Sequence, residues 1–115
     1  MSDPLRTIER QQRRDIRLLY TVMADAIENA ATRQKRQKAA GAPITEADRS
    51  AIMREVDDAL AAIWGRFRGD PDSEIRRIVL RDAHAAQLVP LDDAVKRLRK
   101  VLPRSVMQRI EAEAR

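Results

Sequence analysis

Few residues of this chain have the types and spacing that catalysis requires. His84 is the single histidine and cysteine is absent, so the sequence offers no cluster of histidines or thiolates to hold a metal ion. The acidic pairs at 57–58 and 92–93 are sequential, and neighbouring side chains on a helix point apart. The sequence has no glycine-rich phosphate loop and no nucleophile elbow. We therefore expect a protein that is not an enzyme and that uses no metal or other cofactor.

Basic side chains recur at helical spacing near the N-terminus, at Arg6, Arg10, Arg13 and Arg17. On a helix these positions share one side, which Lys35 extends. A basic helix face can follow a phosphate backbone, and its binding then weakens steeply as salt rises. The alternative is a solvated face on which Glu9 pairs with Arg13. The absence of an aromatic residue for base stacking on this face favours the alternative.

A second basic group lies in residues 82–102, DAHAAQLVPLDDAVKRLRKVL, where the pattern predicts a helix, a short break and a basic helix. The order is typical of a helix-turn-helix unit, in which the second helix contacts DNA. The cations of that second helix are Lys96, Arg97, Arg99 and Lys100. Our candidates for nucleic-acid contacts are Lys96, Arg97 and Lys100. Val89 stands where such a turn usually has glycine, and any antiparallel helical pair with a proline turn would give a similar pattern.

Charge is distributed unevenly along the chain. Residues 1–40 hold nine Lys and Arg against five Asp and Glu, residues 41–75 hold four against eight, and residues 76–115 hold ten against five. The ends are therefore basic and the middle is acidic. Either end can bind an anion, or the middle can pair with the ends within one chain or between copies. A surface of solvated charges that contribute little individually is the other interpretation.

The sequence carries no membrane or secretion signal. No stretch approaches the roughly 18 apolar residues of a membrane span, and MSDPLRTIERQQRR at the N-terminus lacks the apolar core of a secretory signal. The absence of cysteine suits a reducing compartment. We expect a non-secreted, intracellular protein, cytoplasmic or part of a virion, that does not contact a membrane.

The first predicted element is a helix over residues 1–40, which Pro4 begins and which no glycine or proline interrupts before Gly41. Residues 5–40 alone would span about 50 Å, against roughly 30 Å for a small compact domain. The helix therefore either frays after about Ala31 or packs its overhang on a partner. We expect the partner to contact an apolar stripe formed by Ile16, Leu19, Tyr20, Met23 and Ile27.

Four shorter helices are predicted to form a small bundle over residues 46–115, after a joint at 41–45, all within one domain. Thr45 and Asp48 have the spacing of a capping box at the start of the second helix. That helix should pack internally through a stripe centred on Leu60, Ile63, Trp64 and Phe67.

The third helix is predicted to begin at Asp70, and we interpret the RGD motif at 68–70 as a turn and a helix cap. Its apolar face consists of Ile75, Ile78, Val79, Ala83 and Ala86. The fourth helix should run from Leu91 to about Leu102, with Val95, Leu98, Val101 and Leu102 pointing inward. The fifth helix should begin at Arg104. The fold class is all-α.

The order of these features resembles a known group of proteins. A long basic helix containing RRDIRLLYTVMADAIENA, a polar break, a helix with VDDALAAIWGRF and further basic helices are similar to the helical regions of tailed-phage head-morphogenesis and minor capsid proteins. The similarity covers roughly the first 90 residues and matches no signature residue. It implies a structural role in a virion.

Two functions follow as hypotheses. The first is a non-catalytic assembly or adaptor protein that acts through helix–helix contacts, either as a homo-oligomer or with other subunits. A head or head–tail component of a phage would be such a protein. The second is a DNA-binding helical protein that uses the unit at 82–102 and the basic stripe of the first helix.

Overall fold

The computed structural model describes the backbone of residues 4–64, 70–86 and 88–114, and the side chains of residues 10–64, 74–86 and 88–113. Within these ranges the chain forms helices and no strands. The helices are α1 (Pro4–Ala39), α2 (Glu46–Trp64), α3 (Asp70–Ala86), α4 (Leu91–Arg99) and α5 (Pro103–Ala114). The all-α prediction of one long helix followed by four shorter ones is confirmed.

The first helix is continuous and extends to Ala39, so it does not fray after Ala31. Its 36 residues correspond to about 54 Å, and the molecule is 61 Å along its longest axis. Gly41 follows the end of the helix, and its φ of 79° is the left-handed conformation that glycine adopts readily. The amide of Ala42 then donates to the carbonyl of Gln37, and that of Gly41 to Lys38, which is the Schellman pattern of a helix end.

The second helix begins with the predicted capping box. The Asp48 amide donates to the Thr45 hydroxyl at 3.2 Å, and the Thr45 amide donates to the Asp48 carboxylate at 2.8 Å. Gln37 of α1 also donates to the Asp48 carboxylate, at 3.1 Å, and Arg33 pairs with Glu55 one to two turns further along. These contacts show that α2 runs back along α1 in the opposite direction.

The fourth helix also runs antiparallel to α1, and α5 contacts α1 further towards its N-terminus. Lys35 pairs with Asp92 at 2.9 Å near the start of α4, and Asp25 pairs with Arg99 at 2.9 Å at its end. Further towards the α1 N-terminus, Tyr20 accepts a hydrogen bond from Arg109 of α5. As a result α1 lies between α2 and α4 and packs mainly against these two helices.

The core is formed by residues from all five helices. On the predicted inner faces of α2 and α3, the buried residues are Ile52, Val56, Leu60, Ile63 and Trp64, and Ile75, Ile78, Val79, Ala83 and Ala86. Ala59, which helical periodicity also places in the α2 stripe, is exposed instead. Phe67 and the RGD stretch at 68–70 lie outside the residues whose side chains are described. Val106 of α5 is fully buried, and Val95 and Leu98 of α4 face inward as predicted.

The apolar stripe of α1 requires a correction. Its members were expected to contact a partner, but each is at most 3% exposed within the single chain: Ile16, Leu19, Tyr20, Met23 and Ile27. The physical reason is that the other four helices all pack against α1, with α3 and α5 meeting it at Tyr20, so the bundle closes over this stripe. The stripe is therefore the centre of the protein's own core.

The end of α4 also differs from the prediction. The helix stops at Arg99, and Leu102, expected to point inward, is 61% exposed. The residue before a proline avoids helical geometry, so Leu102 cannot continue the helix ahead of Pro103. Pro103 instead occupies the first position of α5, which proline favours, one residue before the predicted start.

Candidate functional site

The arginines of the predicted α1 stripe are exposed where the structure describes them. Arg10, Arg13 and Arg17 are exposed, and so is Arg14, which the sequence analysis left out. The side chain of Arg6 lies outside the described residues. None of the four described arginines forms an ion pair with a described carboxylate. The side chain of Glu9, the expected partner of Arg13, also lies outside the described residues. Within the described residues, this part of α1 therefore presents four positive charges without a carboxylate partner.

Lys35, the last residue on the same side of α1, is used differently. Arg10, Arg17, Glu28 and Lys35 are separated by seven or eleven residues, close to whole numbers of helical turns, so they share one face. Asp92 and Arg99 of α4 cover that face by pairing with Lys35 and Glu28. The face is therefore neutralised along the C-terminal half of α1 and remains basic along the N-terminal half.

The basic residues of α4 divide into two groups. Lys96, Arg97 and Lys100 are exposed and make no ion pair with a described residue. Arg99, grouped with them as a cation facing phosphates, instead pairs with Glu28 and Asp25 of α1. The hydrogen bond from Arg99 to Glu28, and then that to Asp25, raises the pKa of its guanidinium above the ordinary value. Arg99 thus joins α4 to α1, and its charge is offset by the two carboxylates of α1.

The predicted helix-turn-helix unit is not a self-contained helical pair. Its second helix, α4, has nine residues and packs mainly against α1 rather than against α3. A recognition helix must leave its outer face free to enter a groove, and Lys96 and Arg97 of α4, with Lys100 just after it, meet that condition. The arrangement supports contact with phosphates more than insertion of a helix end among bases.

A cleft opens where α4 ends and α5 begins, and we call it the α4–α5 cleft. Its volume is about 480 Å³. Its apolar lining comes from α3, α4 and the two connections, and includes Ala86, Val89, Ala94, Leu98, Val101 and Leu102. Arg97 and Lys100 stand at the same cleft with no carboxylate partner among the described residues. The cleft therefore combines an accessible apolar surface with two free positive charges.

Asp82 and Arg109 also line this cleft, but they are engaged with each other and with Tyr20. Arg109 donates to both carboxylate oxygens of Asp82, at 3.0 and 2.9 Å, and its Nη2 donates to the Tyr20 hydroxyl at 3.3 Å. Tyr20 in turn donates to Asp82. This network joins α1, α3 and α5.

Burial, and next the bond to Asp82, raise the pKa of Tyr20 far above its ordinary value. The pKa of Arg109 is also raised, chiefly by its bonds to Asp82. A tyrosine held protonated and an arginine held charged do not exchange protons near neutral pH. The network is therefore suited to fastening three helices together, and the residues do not form an acid–base pair.

The sequence analysis missed this network. Tyr20 was grouped with the apolar stripe, and Asp82 and Arg109 are 62 and 89 positions from it. The hydroxyl of Tyr20, on an otherwise apolar stripe, is the one sign of the network in the sequence, because a buried tyrosine hydroxyl needs a hydrogen-bonding partner. The partner's identity depends on tertiary packing.

The remaining chemistry-bearing residues do not converge. In the described part of the chain, no three His, Asp or Glu side chains gather as metal ligands would. His84 is exposed on α3, and Asp57 and Asp58 are exposed on α2. Among the described helices, none combines the length and the apolarity that a membrane crossing requires.

Comparisons of the chain with protein families, with characterised proteins and with solved structures each find no match. The candidate sites are therefore the α4–α5 cleft and the unpaired arginines of α1, and their function has to be inferred from geometry and charge.

Proposed function

We propose that the protein is a non-catalytic helical assembly protein whose copies contact one another through the α4–α5 cleft. The observation that carries this proposal is the coincidence of an open apolar lining with two unpaired cations at one place. Leu102 is 61% exposed there, beside Arg97 and Lys100. Fully burying a leucine side chain stabilises a contact by about 1.5–3 kcal/mol, so a partner that covers Leu102 gains an apolar anchor.

The occupant that best fits the cleft is the acidic side of α2 from a second copy. Asp57 and Asp58 are exposed on α2 and form no ion pair with a described residue. Ala61 and Ala62 follow on the exposed side of the same helix, and small side chains allow the close approach of another helix. The two aspartates complement Arg97 and Lys100 in charge.

Such a contact joins two different surfaces, so each copy offers one cleft and one acidic helix. Heterologous contacts of this kind build rings when the rotation closes and open chains when it does not. The charged part of the contact is exposed at its rim, so it should weaken as salt shortens the Debye length. An assembly that grows with concentration and dissolves in salt is the expected behaviour.

A virion component of a tailed phage is the most specific form of this proposal. What supports it is the order of helices, which resembles that of head-morphogenesis and minor capsid proteins. The contact through the cleft is compatible with such a component, and it requires no particular virus or position in the particle. Capsid, portal or terminase genes beside the gene would favour this form, and their absence would count against it.

Static light scattering over a hundredfold range of concentration tests the assembly. The wild type should gain mass with concentration at low salt, while the paired changes Arg97→Glu and Lys100→Glu, or Asp57→Lys and Asp58→Lys, should each give monomers. Mixing the two variants should restore association, because each reversed surface then meets its complement. Arg10→Glu with Arg13→Glu changes the net charge as the cleft variant does, far from the cleft, and should still associate. A wild type that stays a compact monomer throughout would overturn the proposal.

A further inference from the structure

The exposed arginines of α1 are unfavourable for the isolated protein. Arg10 lies three residues before Arg13 and four before Arg14, and Arg13 lies four before Arg17. Like charges at these spacings are neighbours on the helix surface and destabilise the helix. None of them is compensated by a described carboxylate. Within the described residues, no ion pair offsets the repulsion in this cluster, whereas an anionic ligand would offset it.

The rest of the charge pattern sharpens this contrast. Three basic residues that contact other helices have carboxylate partners: Arg33 has Glu55, Lys35 has Asp92 and Arg99 has Glu28. On the same face of α1, Arg10 and Arg17 have none. The change from paired to unpaired basic residues on this face coincides with the end of α4, beyond which no residue of α4 covers the face. The unpaired arginines thus form one accessible row.

We infer that this row, defined by Arg10, Arg13 and Arg17, binds the phosphate backbone of double-stranded DNA without reading its sequence. Arg10 and Arg17 are seven residues apart, about 10 Å along the helix axis. Successive phosphates of one strand rise by 3.4 Å, so the row can contact several of them along one strand. This binding does not depend on the cleft and goes beyond the proposed assembly.

Two observations favour duplex DNA over other polyanionic surfaces. Single strands are usually held by bases stacked on aromatic side chains, and the described aromatic residues, Tyr20 and Trp64, are buried. An interfacial membrane helix needs a broad exposed apolar face. Residues 10–14 are Arg, Gln, Gln, Arg and Arg, and the apolar stripe that follows is enclosed in the core.

Fluorescence anisotropy with a labelled duplex of 24 base pairs tests the inference, with sodium chloride varied from 20 to 300 mM. The wild type should bind with a logarithmic salt slope of about −3, close to one unit for each phosphate contacted. Changing Arg10, Arg13 and Arg17 together to Gln should weaken binding at least tenfold at low salt and bring the slope to between zero and about −1, because Arg14 remains. The three side chains are exposed and unpaired, so the melting temperature of this variant should not fall.

The matched control changes three other exposed, unpaired arginines, Arg36, Arg54 and Arg104, to Gln. It removes the same net charge and should keep most of the affinity and the slope. Equal loss in both triple variants would overturn the inference, since binding would then follow net charge alone. Absence of wild-type binding at 20 mM salt would also overturn it, as would tighter binding to vesicles containing phosphatidylserine than to the duplex. The Arg10, Arg13 and Arg17 variant should still associate in light scattering, so a failure here leaves the assembly proposal separately testable.

Discussion

The hydroxyl of Tyr20 on α1 donates a hydrogen bond to the carboxylate of Asp82 on α3, across 62 positions of sequence. Arg109 of α5 completes the contact by bonding both carboxylate oxygens and the tyrosine hydroxyl. Tyr20 is 3% exposed, so its ring belongs to the core while its polar end meets the only two side chains that hydrogen-bond it in the described structure. The three residues fix how α1, α3 and α5 sit against one another.

The ionisation of Tyr20 provides a direct test of this contact. It is the single tyrosine of the chain, so the tyrosinate absorbance near 295 nm reports on it alone. Burial and the bond to Asp82 raise its pKa, and we expect no tyrosinate in the folded protein at pH 10 to 11. In concentrated denaturant the same residue should titrate near 10, the ordinary tyrosine value. A folded protein that titrates near 10 would contradict the buried contact.

Replacing Tyr20 by Phe should lower the free energy of unfolding by about 1–2 kcal/mol at pH 7, because Asp82 and Arg109 lose a partially buried hydrogen-bonding partner. The variant should also respond less to alkali. The pKa of Tyr20 is raised in the folded state, so the unfolded chain releases this proton first and wild-type stability falls as pH rises above about 10. The difference between wild type and Tyr20→Phe in urea unfolding should therefore shrink from pH 9 to pH 11. A constant difference would be evidence against the assigned linkage.

The sequence was informative where a local rule determines the structure. Thr45 and Asp48 predicted a helix start because a capping box needs only a spacing of three residues. The inner face of α3 followed from helical periodicity in the same way. Leu102 was misplaced because the effect of Pro103 on the residue before it was not applied to the end of α4.

The role of the α1 stripe could not be decided from periodicity. An apolar stripe at helical spacing is identical in sequence whether it meets another helix of the chain or a partner, and Leu19 is buried because the other helices of the chain fold back over α1. The sequence pattern also does not show which charged residues form ion pairs within the chain. Arg97 and Arg99 are two positions apart, yet one is free and the other bonds Glu28 across 71 positions. Local rules predict the elements, and long-range packing decides which of their faces remain available for function.

Substitutions at two adjacent leucines test whether the apolar stripe of α1 belongs to the protein's own core or contacts a partner. Leu19 is fully buried and Leu18 is 36% exposed. Leu19→Ala should lower the free energy of unfolding by about 2–5 kcal/mol, because the change leaves a cavity among packed helices. Leu18→Ala removes the same atoms from the surface and should cost less than about 1 kcal/mol. Chemical unfolding of both variants at a concentration where the protein is monomeric measures the contrast, and equal small effects would contradict an intramolecular core.

The capping box of α2 can be tested by changing Thr45 alone. Thr45→Ala removes the hydroxyl that accepts from the Asp48 amide and should lower the free energy of unfolding by about 1 kcal/mol. Thr45→Ser keeps an oxygen in the same position and should stay close to wild type, which makes it the matched control. Because residues 40–45 connect α1 to α2, amide exchange near the start of α2 should accelerate in the alanine variant before exchange in the buried centre of α1 changes. If both variants lose the same stability, the loss comes from the change of side chain in general and the capping hydrogen bond is not what holds this helix end.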